Sequence, residues 1–276
     1  MKLLEVPDRV RSRTMTTSER RAGFLLEELF YPGVIRTVYV DLDRTVIGSA
    51  VPVGTPLSLE SEPELRAESF LERRELGVLN VGGPGTVEVD GTSFTLDHLD
   101  CLYAGRGSKQ VTFSSTSPDH PAAFYLLSYP AHAEYPTTTV RFKDLEGLQL
   151  GAVETANKRT IYKAIHRAGI RSCQLVMGFT LLEPGSNWNT MPPHTHMRRS
   201  EVYLYFDMDA AHRVVHLMGP PEETSHLIVA DRQVIVSPGW SVHAGVGTKN
   251  YAFCWGMGGE NQDYDDMDRA AIADLK

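Results

Sequence analysis

The stretch PPHTHMRRSEVY, residues 192–203, is the strongest local signal in this chain and the starting point for predicting its fold. Side chains alternate between the two faces of a β-strand, so His194 and His196 are expected to point the same way. A short turn over residues 197–200 then returns Glu201 to that face. Two imidazoles and a carboxylate converge in this arrangement, which predicts that they lie on adjacent strands of a β-protein.

A fourth group of the same chemistry lies further along the chain. His243 ends the segment SPGWSVH, a strand that enters a Pro/Gly turn, and it can reach the other three from a neighbouring strand. Imidazole nitrogen and carboxylate oxygen suit zinc, iron, manganese or nickel, and a ligand set without thiolate disfavours a structural zinc finger. We therefore predict a metal site formed by His194, His196, Glu201 and His243.

Most of the remaining sequence is typical of β-strands. Short segments rich in β-branched and aromatic residues, such as TVYVDL, GTVEVDG, AFYLLSY and EVYLYF, are separated by Gly, Pro and Asp. This pattern predicts an all-β sandwich or barrel. Helical signals are few: residues 18–29, with Ser18 as the cap and Glu19 in the first turn, and the tail after Asp265.

Two blocks of the sequence share one layout. Glu75 opens a strand-rich block that ends in LDCLYAGRGSK, and Glu201 opens another that ends in VIVSPGWSVH, each a strand entering a Gly-containing turn. A polar, strand-poor segment near residues 140–160 separates them. We therefore predict two related β-domains, residues 1–150 and 151–276, with a single continuous β-rich domain as the alternative.

The composition disfavours several classes of function. The 276 residues carry a formal charge of −8 and a pI near 5.7, which argues against a nucleic-acid-binding surface. No apolar run reaches the roughly 18 residues of a membrane helix, and the N-terminus lacks the apolar core of a secretory signal. Three widely spaced cysteines in apolar stretches indicate buried thiols rather than disulfides. We expect a cytoplasmic protein with neither nucleic-acid nor membrane partners.

The metal-ligand segments resemble the two motifs of the cupin superfamily. HTHMRRSE is similar to the first motif, and SPGWSVH is similar to the second, which ends in the fourth ligand. The second motif usually has an asparagine four residues after its histidine, where this chain has Gly247. The resemblance implies two cupin-like β-barrel or jelly-roll domains with a few short helices. In the first domain, Arg73, Arg74 and Glu75 stand where ligands would lie and Lys109 stands near the expected histidine, so we expect it to bind no metal.

Longer strings resemble one family of cupin enzymes. FLERRELGVLNVGG, WNTMPPHTHMRRSEVYLYF, SPGWSVHAGVGTKNY and WGMGGENQDYDDMD are similar to the 5-keto-4-deoxyuronate isomerases of pectin and uronate breakdown. This resemblance implies a zinc-containing, hexameric, cytoplasmic enzyme that interconverts 5-dehydro-4-deoxy-D-glucuronate and 3-deoxy-D-glycero-2,5-hexodiulosonate. Zinc is thus the expected metal, with one ion per subunit, while the ligand chemistry leaves iron, manganese and nickel open.

An anionic sugar substrate needs further partners beside the metal. A guanidinium binds a carboxylate through two parallel hydrogen bonds, which nominates Arg199, in the turn between ligands, and Arg159, in the interdomain stretch. Strand parity adds Thr190, which shares a face with His194 if the strand is regular through the two prolines. The candidate substrate-binding residues are Arg159, Thr180, Thr190, Arg199 and Met257.

Tyr203 and Tyr264 are the candidate catalytic residues. Glu201 is a poor general base while it binds a metal, because a cation lowers its basicity. The base is left open between a metal-bound hydroxide, Tyr203 and Tyr264. Proton transfer through an enediolate and a direct hydride shift are also both left open, since negative charge grows on the two reacting oxygens in either case.

The ligand set alone is compatible with two other functions. Three histidines and a glutamate also suit iron and oxygen chemistry, which makes a cupin dioxygenase the first alternative. A non-catalytic sugar-binding bicupin is the second alternative. Oxygen consumption would identify the first, and ligand binding without turnover would identify the second.

Overall fold

The computed structural model of the chain describes residues 1–260 and 262–276, which form two compact units. The first unit comprises Met1–Leu4, Glu28–Leu145 and Ala164–Val176, and the second comprises Glu5–Glu27, Glu146–Lys163 and Met177–Lys276. Residues 146–150 lie in the second unit, so its boundary falls just before the expected division at residue 150, and the expected domains differ from the two units in two further segments. Residues 5–27 lie with the second unit, and residues 164–176 lie with the first.

Strands dominate both units. In chain order the strands are β1 (Lys2–Leu4), β2 (Leu25–Leu26), β3 (Ile35–Val40), β4 (Val46–Ala50), β5 (Leu57–Ser58), β6 (Arg74–Asn80), β7 (Gly85–Val89), β8 (Thr92–Leu96), β9 (Cys101–Ala104), β10 (Val111–Ser115), β11 (Phe124–Pro130), β12 (Thr138–Val140), β13 (Gly147–Leu150), β14 (Arg159–Ile165), β15 (Val176–Leu182), β16 (Trp188–Asn189), β17 (His194–Thr195), β18 (Arg199–Phe206), β19 (Val214–Met218), β20 (Ser225–Val229), β21 (Gln233–Ser237), β22 (Ala244–Gly247), β23 (Ala252–Gly259) and β24 (Asp268–Arg269).

Helices are short. The α-helices are α1 (Arg9–Ser12) and α2 (Thr17–Phe24), and 3-10 helices are formed by Leu42–Arg44, Pro63–Leu65, Phe142–Asp144 and Ile272–Asp274. Within the described residues, no helix has the length and apolar character needed to span a membrane. The prediction of an all-β protein with a few short helices is confirmed.

The first unit is a sandwich of two sheets. The larger sheet has the strand order β1-β3-β4-β11-β6-β9-β12, and the smaller has the order β5-β10-β7-β8. Leu76 and Val78, two residues apart on β6, point to the same face because side chains alternate along a strand. They belong to one core cluster with Val87 on β7 and Phe113 on β10, so the core contains residues from both sheets.

The second unit repeats this arrangement. Its larger sheet has the order β13-β14-β15-β23-β18-β21-β2, and its smaller sheet has the order β16-β22-β19-β20. The runs β4-β11-β6-β9 and β15-β23-β18-β21 correspond strand for strand, as do the two smaller sheets. A hydrogen bond of 2.7 Å between the hydroxyl of Tyr205 on β18 and Nδ1 of His216 on β19 joins the two sheets of this unit. The two related sequence blocks thus fold as two related sandwiches.

The N-terminal helix differs from its prediction. Thr16 caps α2, because its hydroxyl accepts from the Glu19 amide while the Glu19 carboxylate accepts from the Thr16 amide. This reciprocal pair satisfies two backbone donors, which explains why Thr16 rather than Ser18 is the cap. The predicted extension to residue 29 is wrong, because residues 25–26 form β2 and pair with β21.

The predicted helix after Asp265 is also wrong. In its place, β24 pairs with β17, where Arg269 lies opposite His194, and only Ile272–Asp274 forms a 3-10 turn. Backbone pairing with a strand that carries a predicted ligand therefore determines the course of the tail.

Glu75 is a fully buried carboxylate in the first unit. It accepts hydrogen bonds from the backbone amides of Cys173 (2.6 Å), Gln174 (2.7 Å) and Leu175 (2.8 Å) and from the Tyr103 hydroxyl (2.8 Å). Three consecutive amides thus surround one charged acceptor. Burial of this charge is compensated by four donors, and the carboxylate holds residues 173–175 in place.

We predict that Glu75→Gln destabilises the protein. The side-chain NH₂ group of glutamine would face the backbone N–H groups of residues 173–175, which need an acceptor and not a second donor. The free energy of unfolding should fall by about 3 kcal/mol, as for loss of charged hydrogen bonds in a buried site. Urea denaturation followed by circular dichroism measures this change. Glu88→Gln, at an exposed position of β7, is the control and should leave the midpoint unchanged; equal midpoints for both variants would contradict the assigned role.

Candidate metal centre

The four predicted ligands are brought together by strand pairing and by two turns. Glu201 lies on β18 opposite Ser237 on β21, so the turn that follows β21 carries His243 toward the same face. His194 lies on β17, and the His196 amide donates to the Gly239 carbonyl (3.0 Å), which joins the ligand segment to that turn. The histidines do not share one long regular strand, yet both imidazoles reach the site.

The donor atoms of these residues converge. Nε2 of His194 lies 3.1 Å from Nε2 of His196 and 3.0 Å from Nε2 of His243. Oε2 of Glu201 lies 2.8 Å from Nε2 of His196 and 2.9 Å from Nε2 of His243. All four ligand atoms lie within 4.8 Å of one another, and all four side chains are buried. Three imidazoles and one carboxylate in this arrangement could hold a metal ion.

The protonation states favoured by the site are those that metal ligands require. Burial raises the pKa of Glu201, but the neighbouring imidazoles of His243 and His196, whose Nε2 atoms lie within 2.9 Å of its oxygen, outweigh burial and hold the pKa well below the usual value. Burial, and to a smaller extent the neighbouring His243, lowers the pKa of His194 to about 2. Glu201 is therefore ionised and His194 neutral near pH 7, as metal coordination requires.

The remaining ring nitrogens have partners that orient the imidazoles. Nδ1 of His196 lies 2.7 Å from the backbone carbonyl of Asp266, and Nδ1 of His243 lies 3.4 Å from the Ser237 hydroxyl. Where Nδ1 of His196 carries the proton, as a donor to the Asp266 carbonyl, Nε2 is left with the lone pair that a metal ion needs, the usual arrangement of metal-binding histidines. The ligand set and its supporting hydrogen bonds thus fit a divalent transition metal.

Two arginines hold the tail segment that supplies the Asp266 carbonyl. Arg199 is 3% exposed, and its guanidinium donates to the carbonyls of Asp263 (2.8 Å), Tyr264 (3.1 Å) and Asp266 (3.3 Å). Nε of Arg198 donates to the Asp266 carboxylate at 2.7 Å. The tail is therefore fixed beside His196 by charged hydrogen bonds, which are stronger than neutral ones.

A cavity of about 450 Å³ opens beside the ligands. Its walls include His194, His196 and Glu201. They also include six of the residues predicted to act on substrate: Arg159, Thr180, Thr190, Tyr203, Met257 and Tyr264. Among the described residues, Arg199 is not part of this lining, because its guanidinium is directed at backbone carbonyls of the tail. The structure thus separates the two predicted arginines, with Arg159 in the cavity wall and Arg199 behind it.

The hydroxyl groups of the wall are linked by hydrogen bonds. Oγ1 of Thr190 lies 3.0 Å from the Tyr203 hydroxyl, and Nε1 of Trp255 donates to Oγ1 of Thr180 at 3.1 Å. Thr190 follows β16 with a φ of 48°, so the strand is interrupted before the prolines, although the side chain still faces the cavity. Burial and the nearby Glu201 charge raise the pKa of Tyr203 well above its usual value. Its hydroxyl is therefore a donor near neutral pH.

The cavity wall also contains a cation that was not among the predicted site residues. Lys163 lines the cavity, and its Nζ lies 3.9 Å from the centre of the Tyr264 ring, a cation–π contact. Arg159, Ile161 and Lys163 occupy alternate positions on β14 and all line the cavity. The alternation of side chains along β14, which puts Lys163 on the same face as Arg159, is the sequence signal that could have pointed to it.

Comparison with known proteins identifies the family. The sequence profile of the KduI/IolB family matches residues 33–274. A relative from Kineococcus radiotolerans is 52% identical over 265 residues, covering 95% of each chain, and one from Opitutus terrae is 50% identical over 278 residues, covering 100% of each. Both are named 4-deoxy-L-threo-5-hexosulose-uronate ketol-isomerase.

Solved structures support the fold. An IolB-like protein from Salmonella typhimurium aligns with a TM-score of 0.72 at 12% identity, covering 90% of this chain and 96% of its own. An oxalate decarboxylase from Lactobacillus farciminis aligns with a TM-score of 0.60 at 11% identity, covering 87% of each chain. At this identity the likeness concerns the fold alone. From the profile match and about 50% identity to the named relatives over nearly the whole length, the chain belongs to the KduI/IolB family.

Proposed function

We propose that this chain is a metal-dependent ketol-isomerase of pectin and uronate breakdown, interconverting 5-dehydro-4-deoxy-D-glucuronate and 3-deoxy-D-glycero-2,5-hexodiulosonate. The name shared by its relatives supports the reaction. The observation that carries the proposal is a buried cluster of three histidines and one glutamate, open to a cavity that also contains Arg159 and Lys163. Such a site combines ligands for a Lewis acid with cations for an acidic sugar.

We propose zinc as the metal, held by His194, His196, Glu201 and His243, with iron, manganese and nickel compatible with the same ligands. When bound, the ion would stabilise the negative charge that develops on the two oxygens exchanging carbonyl and hydroxyl character. Homohexamer assembly and a cytoplasmic location belong to the same proposal, as the family resemblance implies. The partner in catalysis is a small anionic sugar.

The cations of the wall would bind the substrate carboxylate. Arg159 donates through Nη1 to the Asn157 carbonyl at 2.8 Å, which fixes the guanidinium and leaves its other nitrogens for substrate. Lys163, held over the Tyr264 ring, adds a second positive charge. Arg199 would act indirectly, by holding the tail beside His196.

Tyr203 and Tyr264 would donate hydrogen bonds to the reacting oxygens. Burial raises the pKa of both phenols, and the charge of Glu201 raises it further, so both carry their protons near pH 7. They suit the role of proton donor better than that of general base. Thr190, bonded to Tyr203, and Thr180 and Met257, in the same wall, would shape the sugar-binding surface.

The direct test is turnover of the deoxyuronate released by unsaturated-uronate breakdown. Zinc-loaded protein should convert it to the ketose, seen by NMR as loss of the signal of the aldehyde or its hydrate. Chelation should stop the reaction, and added zinc should restore it. Absence of conversion by metal-loaded protein would refute the isomerase proposal. Oxygen uptake would support the dioxygenase alternative, whereas binding without turnover would support the sugar-binding alternative.

Metal content tests the ligand assignment. Replacing His194 by Ala or Glu201 by Gln should lower zinc affinity more than about 100-fold, since loss of an orienting partner alone costs 10–100-fold. Competition with a chromophoric chelator measures this affinity. His216→Asn is the matched control, because His216 is buried in the same unit but is not one of the four ligands. Equal zinc affinity in the wild type and the ligand variants would contradict the site.

Steady-state kinetics tests the cavity residues. Arg159→Met should raise KM about 10- to 100-fold, the effect of one lost charged hydrogen bond. Tyr264→Phe should lower kcat about 10-fold or more with little change in KM, because its hydroxyl would act mainly on charge developed during reaction. Arg141→Ala, an exposed position in the first unit, should change neither constant. Wild-type kinetics in both cavity variants would remove these residues from the proposal.

A further inference from the structure

A second cavity lies wholly within the first unit. Its volume is about 380 Å³, and it shares no residue with the metal-site cavity. Three of its lining residues are arginines and several others are apolar or aromatic: Arg44, Arg73, Arg74, Tyr39, Leu65 and Phe70. Among the described lining residues, the three arginines face one acidic side chain, that of Glu64, so the lining carries an excess of positive charge.

Arg74 is the central feature of this cavity. It is 6% exposed, and burial lowers its pKa to about 10. Nε donates to the Ser128 hydroxyl (3.1 Å), and Nη2 donates to the carbonyls of Ser128 (2.8 Å) and Arg44 (2.6 Å). Within residues 1–260 and 262–276, Nη1 has no hydrogen-bond partner and the guanidinium forms no ion pair. A buried guanidinium with no ion pair and one unused nitrogen favours binding of an anion.

Hydrogen bonds to the backbone account for the positions of Arg73 and Arg74, but they do not account for the guanidinium of Arg44. Asp43, Arg44 and Arg66 have positive φ values of 48°, 52° and 48°, and the carbonyls of the two arginines are bound by Arg74 and Arg73 respectively. These bonds stabilise two strained turns at the cavity wall. The exposed guanidinium of Arg44 has no partner among the described side chains, and stabilising a turn does not require it.

We propose that this cavity binds a small organic anion, a carboxylate attached to an apolar or planar body. The planar fork of an arginine matches a carboxylate, and Arg44 and Arg74 offer unused guanidinium nitrogens on one cavity. Tyr39, Leu65 and Phe70 provide an apolar surface for the body of the ligand. The volume lies within the range of small-molecule sites. The cavity is a site separate from the metal centre and does not depend on the isomerase proposal.

The test uses the zinc-loaded full chain with 4-fluorobenzoate as the probe and 4-fluorobenzamide as its uncharged match, followed by fluorine NMR. The carboxylate should bind and the amide should not. Arg44→Ala and Arg73→Ala, at exposed positions, should each weaken binding of the carboxylate about 10-fold or more. Arg74→Lys, which keeps the charge but loses the fork, should also weaken it.

Two controls separate this site from the metal centre. Arg159→Met removes a cation from the proposed substrate cavity and should leave probe binding unchanged. Arg141→Ala should also leave it unchanged. Failure of the wild type to bind the carboxylate would overturn the proposal, as would loss of binding in Arg159→Met with full binding in Arg44→Ala. Thermal unfolding shows whether each variant is folded. If Arg73→Ala or Arg74→Lys does not fold, the result for Arg44→Ala decides the test.

Discussion

A buried carboxylate surrounded by imidazoles is the constraint on which the second unit depends. Glu201 lies on a central strand and is ionised, with ring nitrogens of His196 and His243 within 2.9 Å of its oxygen. A charge in that position needs nearby positive or donor groups, and a bound cation would meet this need. Three elements must form together to bring the imidazoles to this carboxylate: the pairing of β18 with β21, the turn that carries His243, and the segment that carries His194 and His196. If any of them failed to form, the buried charge of Glu201 would lose part of its compensation.

The C-terminal segment belongs to this constraint as well. The carbonyl of Asp266 orients His196, while Arg198 and Arg199 hold Asp266 and its neighbours. The same segment brings Tyr264 over Lys163 and against Trp255, with ring centres of the two aromatics 5.0 Å apart. Orientation of a ligand and formation of the cavity wall therefore depend on one stretch of chain. Arg199, which was predicted from its place in the sequence to bind substrate, instead holds this stretch of chain through hydrogen bonds to its carbonyls.

The two units use one architecture for different purposes. β6 and β18 have equivalent neighbours in their sheets, and each carries a buried glutamate near its start. Glu201 faces imidazoles, whereas Glu75 accepts from three backbone amides and a tyrosine hydroxyl. In both places the fold compensates a buried carboxylate, with side-chain ligands in one unit and with backbone donors in the other. The environment, and not the residue type, determines what the carboxylate does.

The strand-rich class, the repeated layout and the convergence of three histidines and a glutamate could all be predicted from the sequence. These features follow from alternation along strands and from turn residues, which are local properties of the chain. The cavity wall was predictable for residues near the ligand segment, such as Thr190 and Tyr203. The folded chain was needed to show that Leu25 and Leu26 leave the helix to pair with β21 and that Arg199 binds the tail. It was also needed to show that β14 places Lys163 in the cavity wall. Each of these outcomes depends on contacts between segments far apart in the chain. Alternation along a strand predicts which side chains share a face, but it does not predict what that face packs against.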